Sequence, residues 1–176
     1  MSASLVHAGL VAARVAGHWR GVLIEGPPGA GKSDLALRAI GAGFRLVADD
    51  RVWLFASGGR LFGRAPEPIL GLIEARGLGL LREAPLFLAP VDLVVACAAC
   101  AEEIERLPEP RRVDRAGVEA PHLRIHPHEP SAVAKIRRAL EALGREGQAA
   151  YDAHASFDRS APGPRKRAGA GALRRS

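Results

Sequence analysis

Two cysteines, Cys97 and Cys100, are all that the 176 residues contain, too few for a disulfide framework and in keeping with a reducing compartment. No apolar run approaches the roughly 20 residues that span a bilayer. The first ten residues lack the charged start and long apolar stretch of a secretory signal. These absences lead to the expectation of a cytoplasmic protein without a membrane segment. Acidic residues are missing from residues 159–176, which hold Arg159, Arg165, Lys166, Arg167, Arg174 and Arg175. Setting those six aside from the 25 basic residues leaves 19, matched by 19 acids, so the net charge of +6 belongs to the tail. The basic footprint of a nucleic-acid-binding domain is therefore absent from the body of the chain, and nucleic acid is not expected as a partner. The tail, rich in Gly, Ala, Pro and Arg, has too little apolar content to order itself. Residues 1–145 are expected to form one catalytic-size domain, with 146–176 an extension that is disordered from 159. Apolar residues make up 48% of the chain, enough for a single core. No internal repeat is visible.

Within that domain the pattern alternates between strands and helices. Two β-compatible stretches, residues 10–15 and 21–24, flank Gly17, His18, Trp19 and Arg20 and read as a hairpin. SDLALRAI at 33–40 carries helix formers and is stopped by Gly41 and Gly43. The short apolar runs RLVADD (45–50) and VWLF (52–55), then a Ser57, Gly58, Gly59 turn and RLFG, suggest a second hairpin. Residues 65–90 are dense in Pro and Gly and yield no register. DLVVA at 92–96 and residues 122–126 read as short strands. In SAVAKIRRALEAL (131–143) the apolar residues Val133, Ile136, Leu140 and Leu143 recur three or four apart, with Ser131 as N-cap and Gly144 as stop, which predicts a helix.

The chemical signal is GPPGAGKS: Gly26, Pro27, Pro28, Gly29, Ala30, Gly31, Lys32 and Ser33. It matches GxxxxGK followed by Ser and lies between a predicted strand and helix, as a phosphate-binding loop requires. Its glycines let the backbone N–H groups curl inward, and the helix starting near Lys32 adds the positive end of its dipole. Lys32 would bridge the outer phosphates and Ser33 would ligate magnesium. Such a loop does not name a reaction, since hydrolases, switches and small-molecule kinases share it. Asp49 and Asp50 end an apolar run, where a carboxylate can reach the nucleotide or the accepting group. One could hold metal or orient its neighbour while the other takes a proton; a polar turn is the plainer alternative. Cys97 and Cys100, in apolar VVACAAC, read as small buried side chains rather than a reactive dithiol. His122, His126 and His128 read as loop residues rather than metal ligands. Trp19 and Trp53 read as packing on hairpins.

Residues 21–50, GVLIEGPPGAGKSDLALRAIGAGFRLVADD, resemble the heart of HPr kinase/phosphorylase, and EARGLGLL (74–81) resembles that family's second signature. ERL (105–107) and PHLRI (121–125) extend the likeness over roughly residues 5–145, and the short length resembles a form without the family's N-terminal domain. The resemblance implies an α/β P-loop domain, like phosphoenolpyruvate carboxykinase, with a mainly β core and flanking helices. It implies ATP on the loop, Mg2+, transfer to a serine of an HPr-like phosphocarrier protein, reversal by inorganic phosphate and a homo-oligomer, usually a hexamer. Site by site, Lys32 resembles the phosphate-binding lysine and Ser33 and Glu74 the magnesium ligands. Asp50 resembles the acid that accepts the serine proton, Arg106 the catalytic arginine, and His7 the active-site histidine. A kinase for a small molecule and a nucleotide-sensing module without transfer are the alternative functions. The sequence departs from the family at HPHEPS (126–131), where a basic loop ending in Arg-Asn is usual; the expected consequence is a kinase with a weak reverse reaction.

Overall fold

The computed structural model describes residues 3–146; the proposed extension from 147 onward lies outside the described residues. Thirteen regular elements follow in order. They are β1 (Ala3–His7), β2 (Gly9–Val15), β3 (His18–Glu25), α1 (Lys32–Gly41), β4 (Arg45–Ala48), β5 (Arg51–Ser57), β6 (Arg60–Arg64), β7 (Leu72–Ala75), β8 (Gly79–Arg82), β9 (Ala89–Cys97), β10 (Arg111–Arg115), β11 (Val118–Ile125) and α2 (Ala132–Glu146). Short 3-10 turns occupy Glu67–Ile69 and Ala101–Glu103. The fold is a mixed sheet with two helices, as the α/β expectation with a mainly β core required. No helix among the described residues is long and apolar enough to cross a membrane.

The strands of the main sheet run in the order β1-β5-β6-β9-β3-β2-β4, with β11 and then β10 attached through β9. β3 pairs in parallel along one side of β9. On the other side β6 pairs with the start of β9, at Pro90 and Ala89, and β11 pairs in parallel with Val94 to Cys97. Because β3, β9 and β11 are parallel, the segments that follow them emerge at one end of the sheet. That end, beyond the carboxyl termini of parallel strands, is where open α/β sheets bind ligands.

Strict alternation in the central strands fills two cores. Val22 and Ile24 of β3, Val11 and Ala13 of β2, and Leu93 and Val95 of β9 face α1 and α2, meeting Leu35, Ala39, Phe44, Ile136 and Leu140. Their neighbours Leu23, Leu10, Ala12 and Val94 face the other way, onto Val52, Leu54 and Leu61 of the β5–β6 hairpin. A side-chain period of two with apolar residues on both faces is the pattern of a strand covered on both sides. The expected hairpins form, with tighter turns than anticipated. The β2–β3 turn is only Ala16 and Gly17, both at positive φ (50° and 83°), which matches the strand twist and lets pairing run to Val15↔His18.

Four expectations change. His122 lies on β11, a strand that runs Val118–Ile125 and pairs with a strand the sequence pattern did not signal, β10. α2 continues through Gly144 to Glu146; a helix interior tolerates glycine at a cost of about 1 kcal/mol. Ser131 stands at the start of α2, its carbonyl accepting the Lys135 N–H, but its hydroxyl donates to Glu129 Oε1 at 3.1 Å. Cys100 is exposed while Cys97 is buried, so only one of the two thiols packs as expected.

Ile136 is fully buried under α1 and the sheet. Ile136→Ala should lower unfolding free energy by about 2–5 kcal/mol, the range for emptying such a site. Chemical denaturation measures this, and a loss below about 1 kcal/mol would contradict the packing described.

Candidate active site

Strand β3 delivers the chain into residues 26–31, and α1 begins at Lys32. The residue before the helix, Gly31, has φ 90° and ψ 17°, a left-handed conformation that glycine adopts without strain. A Cβ at Gly26 would stand 3.0 Å from Cys97 Cβ, so the loop lies directly on the end of β9. Burial pushes the Cys97 thiol up to about 11, against the opposing pull of Lys32 nearby, which leaves it a poor nucleophile. Lys32 is only 6% exposed. Its Nζ donates to the carbonyls of Gly26 (2.9 Å) and Pro27 (3.0 Å), so the ammonium lies inside the curl of the loop.

The acids stand at a break in a long antiparallel ladder. β1 pairs with β5 and β2 with β4, so the chain from 3 to 12 runs beside the chain from 55 back to 45. The ladder is interrupted where Ala8 meets Asp49 and Asp50, with one bond, Ala8 N–H to Asp50 C=O at 3.2 Å, holding the two sides together. Asp50 takes φ 67°, a left-handed conformation uncommon outside glycine, though asparagine and aspartate tolerate it best. Strained positions of this kind cluster at functional sites. The break turns the two neighbouring carboxylates in different directions.

Asp49 points inward. It is 5% exposed; Ser33 Oγ donates to its Oδ1 at 2.9 Å and the Glu74 backbone N–H to its Oδ2 at 3.1 Å. Burial raises its pKa, and the bonds from Glu74, Ser33 and the Asp50 backbone oppose that rise. Asp50 points outward, 62% exposed, with His7 Nε2 3.4 Å from Oδ1 and Arg51 Nε 3.5 Å from Oδ2. The structure thus brings His7, Lys32, Ser33, Asp49, Asp50 and residue 74 into one neighbourhood. Glu74 reaches it through its backbone on β7, and its side chain is exposed. Arg106 stands exposed on the loop before β10, and among the described residues no hydrogen bond or ion pair joins it to this group.

The segment after β11 closes the opposite side. Arg38 of α1 donates to the carbonyls of Pro127 and Glu129, fixing HPHEPS against the helix. A Cβ at Gly31 would come within 2.8 Å of the His128 ring, so that imidazole lies on the loop itself. Glu129 faces elsewhere: its carboxylate pairs with Lys135 of α2, and that bond holds its pKa down. Glu25, the last residue of β3, is gripped at both oxygens by Arg115, at 2.7 and 2.6 Å, a bidentate pair that ties the β10–β11 hairpin to the start of the loop. Periodicity could not have found these anchors; their only local trace is the Asp34–Arg38 pair four residues apart on α1.

The HPr Serine kinase C-terminal domain profile matches residues 2–159. The chain belongs to that family. HPr kinase/phosphorylase of Streptococcus thermophilus is 35% identical over 148 residues, 78% of this chain and 48% of the relative. The Halalkalibacterium halodurans protein of the same name is 40% identical over 106 residues, covering 60% of this chain and 34% of the relative. The chain therefore spans about half the length of the curated relatives it matches. The solved Hpr(Ser) kinase/phosphatase from Coxiella burnetii superposes with a TM-score of 0.64 at 26% identity, over 77% of this chain and 95% of that one. In this chain the strand, the 26–31 loop and the helix form one frame, and Asp49 is the acid at the ladder break that is bonded to it, through Ser33.

Asp49 makes stability depend on pH in a definite direction. With its pKa raised in the fold and ordinary (about 3.9) in the unfolded chain, the folded state holds a proton that the unfolded state has released between those values. Ionisation of this group costs stability as pH rises through that window, and its contribution is most favourable below it. Relative to Asp49→Asn, the unaltered chain should therefore gain stability as pH falls from 7 toward 4. Urea unfolding of both proteins across that range measures it; a difference that does not change with pH contradicts the assignment.

Proposed function

We propose that this domain transfers the γ-phosphoryl group of ATP to a serine hydroxyl of an HPr-like phosphocarrier protein, with Mg2+. The observation that carries the reading is the pairing of a phosphate loop with two acids of opposite orientation, one buried on Ser33 and one exposed beside His7, in a chain of this family. Lys32 and the loop N–H groups hold the phosphates, Lys32 exchanging its bonds to Gly26 and Pro27 for phosphate oxygens. Ser33 Oγ and the Asp49 carboxylate, 2.9 Å apart, are hard oxygen donors of the kind magnesium takes. The Glu74 side chain, exposed on β7 next to the backbone N–H that Asp49 accepts, would add a further carboxylate to that set. The ion, when bound, offsets the negative charge that develops in transfer.

Asp50 is the base: exposed and reachable by a protein acceptor, it takes the serine proton as that oxygen bonds to the γ-phosphorus and the bond to ADP breaks. His7 and Arg51 hold its two oxygens in place. Arg106, on its exposed loop, supplies a further cation to the transferring group. A cytoplasmic setting and an assembly of several copies, six by the resemblance, belong to the same proposal.

The reverse reaction with inorganic phosphate brings two anionic groups together, and their repulsion requires cations nearby. Here the segment lying on the phosphate loop offers the imidazole of His128 in place of a guanidinium, and this supports a domain that works mainly as a kinase. Incubation with labelled ATP, magnesium and an HPr-like carrier should label one serine of the carrier, and Lys32→Ala should abolish labelling while the fold persists. Transfer at the unaltered rate in that variant would refute the loop assignment. With the labelled carrier and millimolar phosphate, removal should be slow, and His128→Arg should accelerate it; rapid removal by the unaltered chain refutes the directional reading.

A further inference from the structure

At the start of β3, the end of the strand remote from the phosphate loop, an open cleft of about 540 Å³ is lined by His18, Trp19, Arg60, Phe62 and Pro90. Arg20 and Asp92 form its floor. Gly21 and Gly26 are five residues apart on an extended strand, which places the cleft roughly 17 Å from the loop. The transfer chemistry leaves these residues unused.

The cleft is built by an irregularity in the sheet. Gly21 of β3 pairs with Val91 and Val22 with Leu93, so Asp92 is an extra residue in β9. Such a bulge re-aims a side chain, and bulges occur next to binding sites. The strands press together here, since a Cβ at Gly21 would overlap the Pro90 carbonyl. Asp92, turned by the bulge, accepts the Gly21 N–H at Oδ2 (3.2 Å) and presents Oδ1 to Arg20 (3.4 Å) and Arg60 (3.6 Å).

Two guanidiniums thus share one carboxylate oxygen. Arg20 uses Nη1 on Asp92, and its buried Nε has no hydrogen-bond partner. The Nε edge of a guanidinium belongs to the side-on fork that receives carboxylate or phosphate oxygens in pairs. A buried donor left without an acceptor costs about 1–3 kcal/mol and calls for an explanation. Arg60 is 60% exposed and lies over the Phe62 ring at 5.7 Å, which holds its charge over the cleft. One carboxylate stands against two guanidiniums, so Asp92 can offset only one of the two charges. The balance of the cleft is positive, in a domain body that is otherwise formally neutral.

We propose that this cleft is a second oxyanion site that binds a small polyanionic metabolite through Arg20 and Arg60, independently of the phosphate loop. The chemistry it recognises is shared by phosphate esters and polycarboxylates, and the test separates them. Titration calorimetry with pyrophosphate and with citrate is carried out on the unaltered chain, Lys32→Ala, Arg60→Gln, and the chain carrying both changes. Lys32→Ala should keep one binding event for at least one of the two probes, and adding Arg60→Gln should weaken it at least tenfold. Arg60 is exposed, so its replacement should leave the circular dichroism and the rate of ATP-dependent transfer unchanged. Preference for pyrophosphate would mark the natural ligand as a phosphate ester, and preference for citrate as a polycarboxylate. Absence of binding of both probes to Lys32→Ala, or a residual affinity that Arg60→Gln leaves within twofold, would overturn the proposal.

Discussion

Everything at the candidate site hangs on one buried carboxylate. Asp49 receives Ser33 from α1 and the Glu74 backbone from β7, and its own C=O takes the Arg51 N–H at the start of β5. Three segments far apart in sequence are thereby fixed to one another by groups from which water is largely excluded, where an unmade bond is costly. Burial disfavours the ionised form, and three donors counter it. A cation placed beside Asp49 would act with those donors, against burial, to favour the ionised form.

Around that anchor the frame is rigid and the chemistry is exposed. Arg115 grips Glu25 behind the phosphate loop, and Arg38 grips the 127–129 backbone in front of it. The Asp50–His7 pair, by contrast, is half or more open to solvent. A protein acceptor needs such access, while nucleotide phosphates need a preformed cradle. Parallel pairing of β3, β9 and β11 brings the phosphate loop and the HPHEPS segment to one end of the sheet.

The local parts of this design were legible in the sequence: the phosphate loop, the helix behind it, the β2–β3 and β5–β6 hairpins, and the acids at the end of RLVADD. Each depends on residues within a few positions of one another. The reach of the ladder was not legible. That His7 meets Asp50 follows from β1 pairing with β5 across more than forty residues, and that Arg115 meets Glu25 follows from β11 returning beside β9. Such pairings are set by global packing and leave no periodic trace. Residue chemistry alone leaves the adjacent acids as equivalent candidates and the family resemblance singles out Asp50; the φ of Asp50 and the break in the ladder are what make one buried and the other exposed. Glu129 shows the converse: a charge in the right segment proves to be committed to Lys135, and the neighbouring imidazole is what touches the loop.

The central claim is this division of labour between neighbouring acids, and it is tested most directly by measuring magnesium-dependent ATP affinity and the transfer rate to an HPr-like carrier in Asp49→Asn and Asp50→Asn. The account predicts that Asp50→Asn binds ATP with magnesium within a few-fold of the unaltered chain and transfers at least about a hundredfold more slowly, as loss of a general base does. It predicts that Asp49→Asn loses the magnesium-dependent part of its ATP affinity. Unimpaired transfer by Asp50→Asn, or unchanged magnesium-dependent binding by Asp49→Asn, would contradict it.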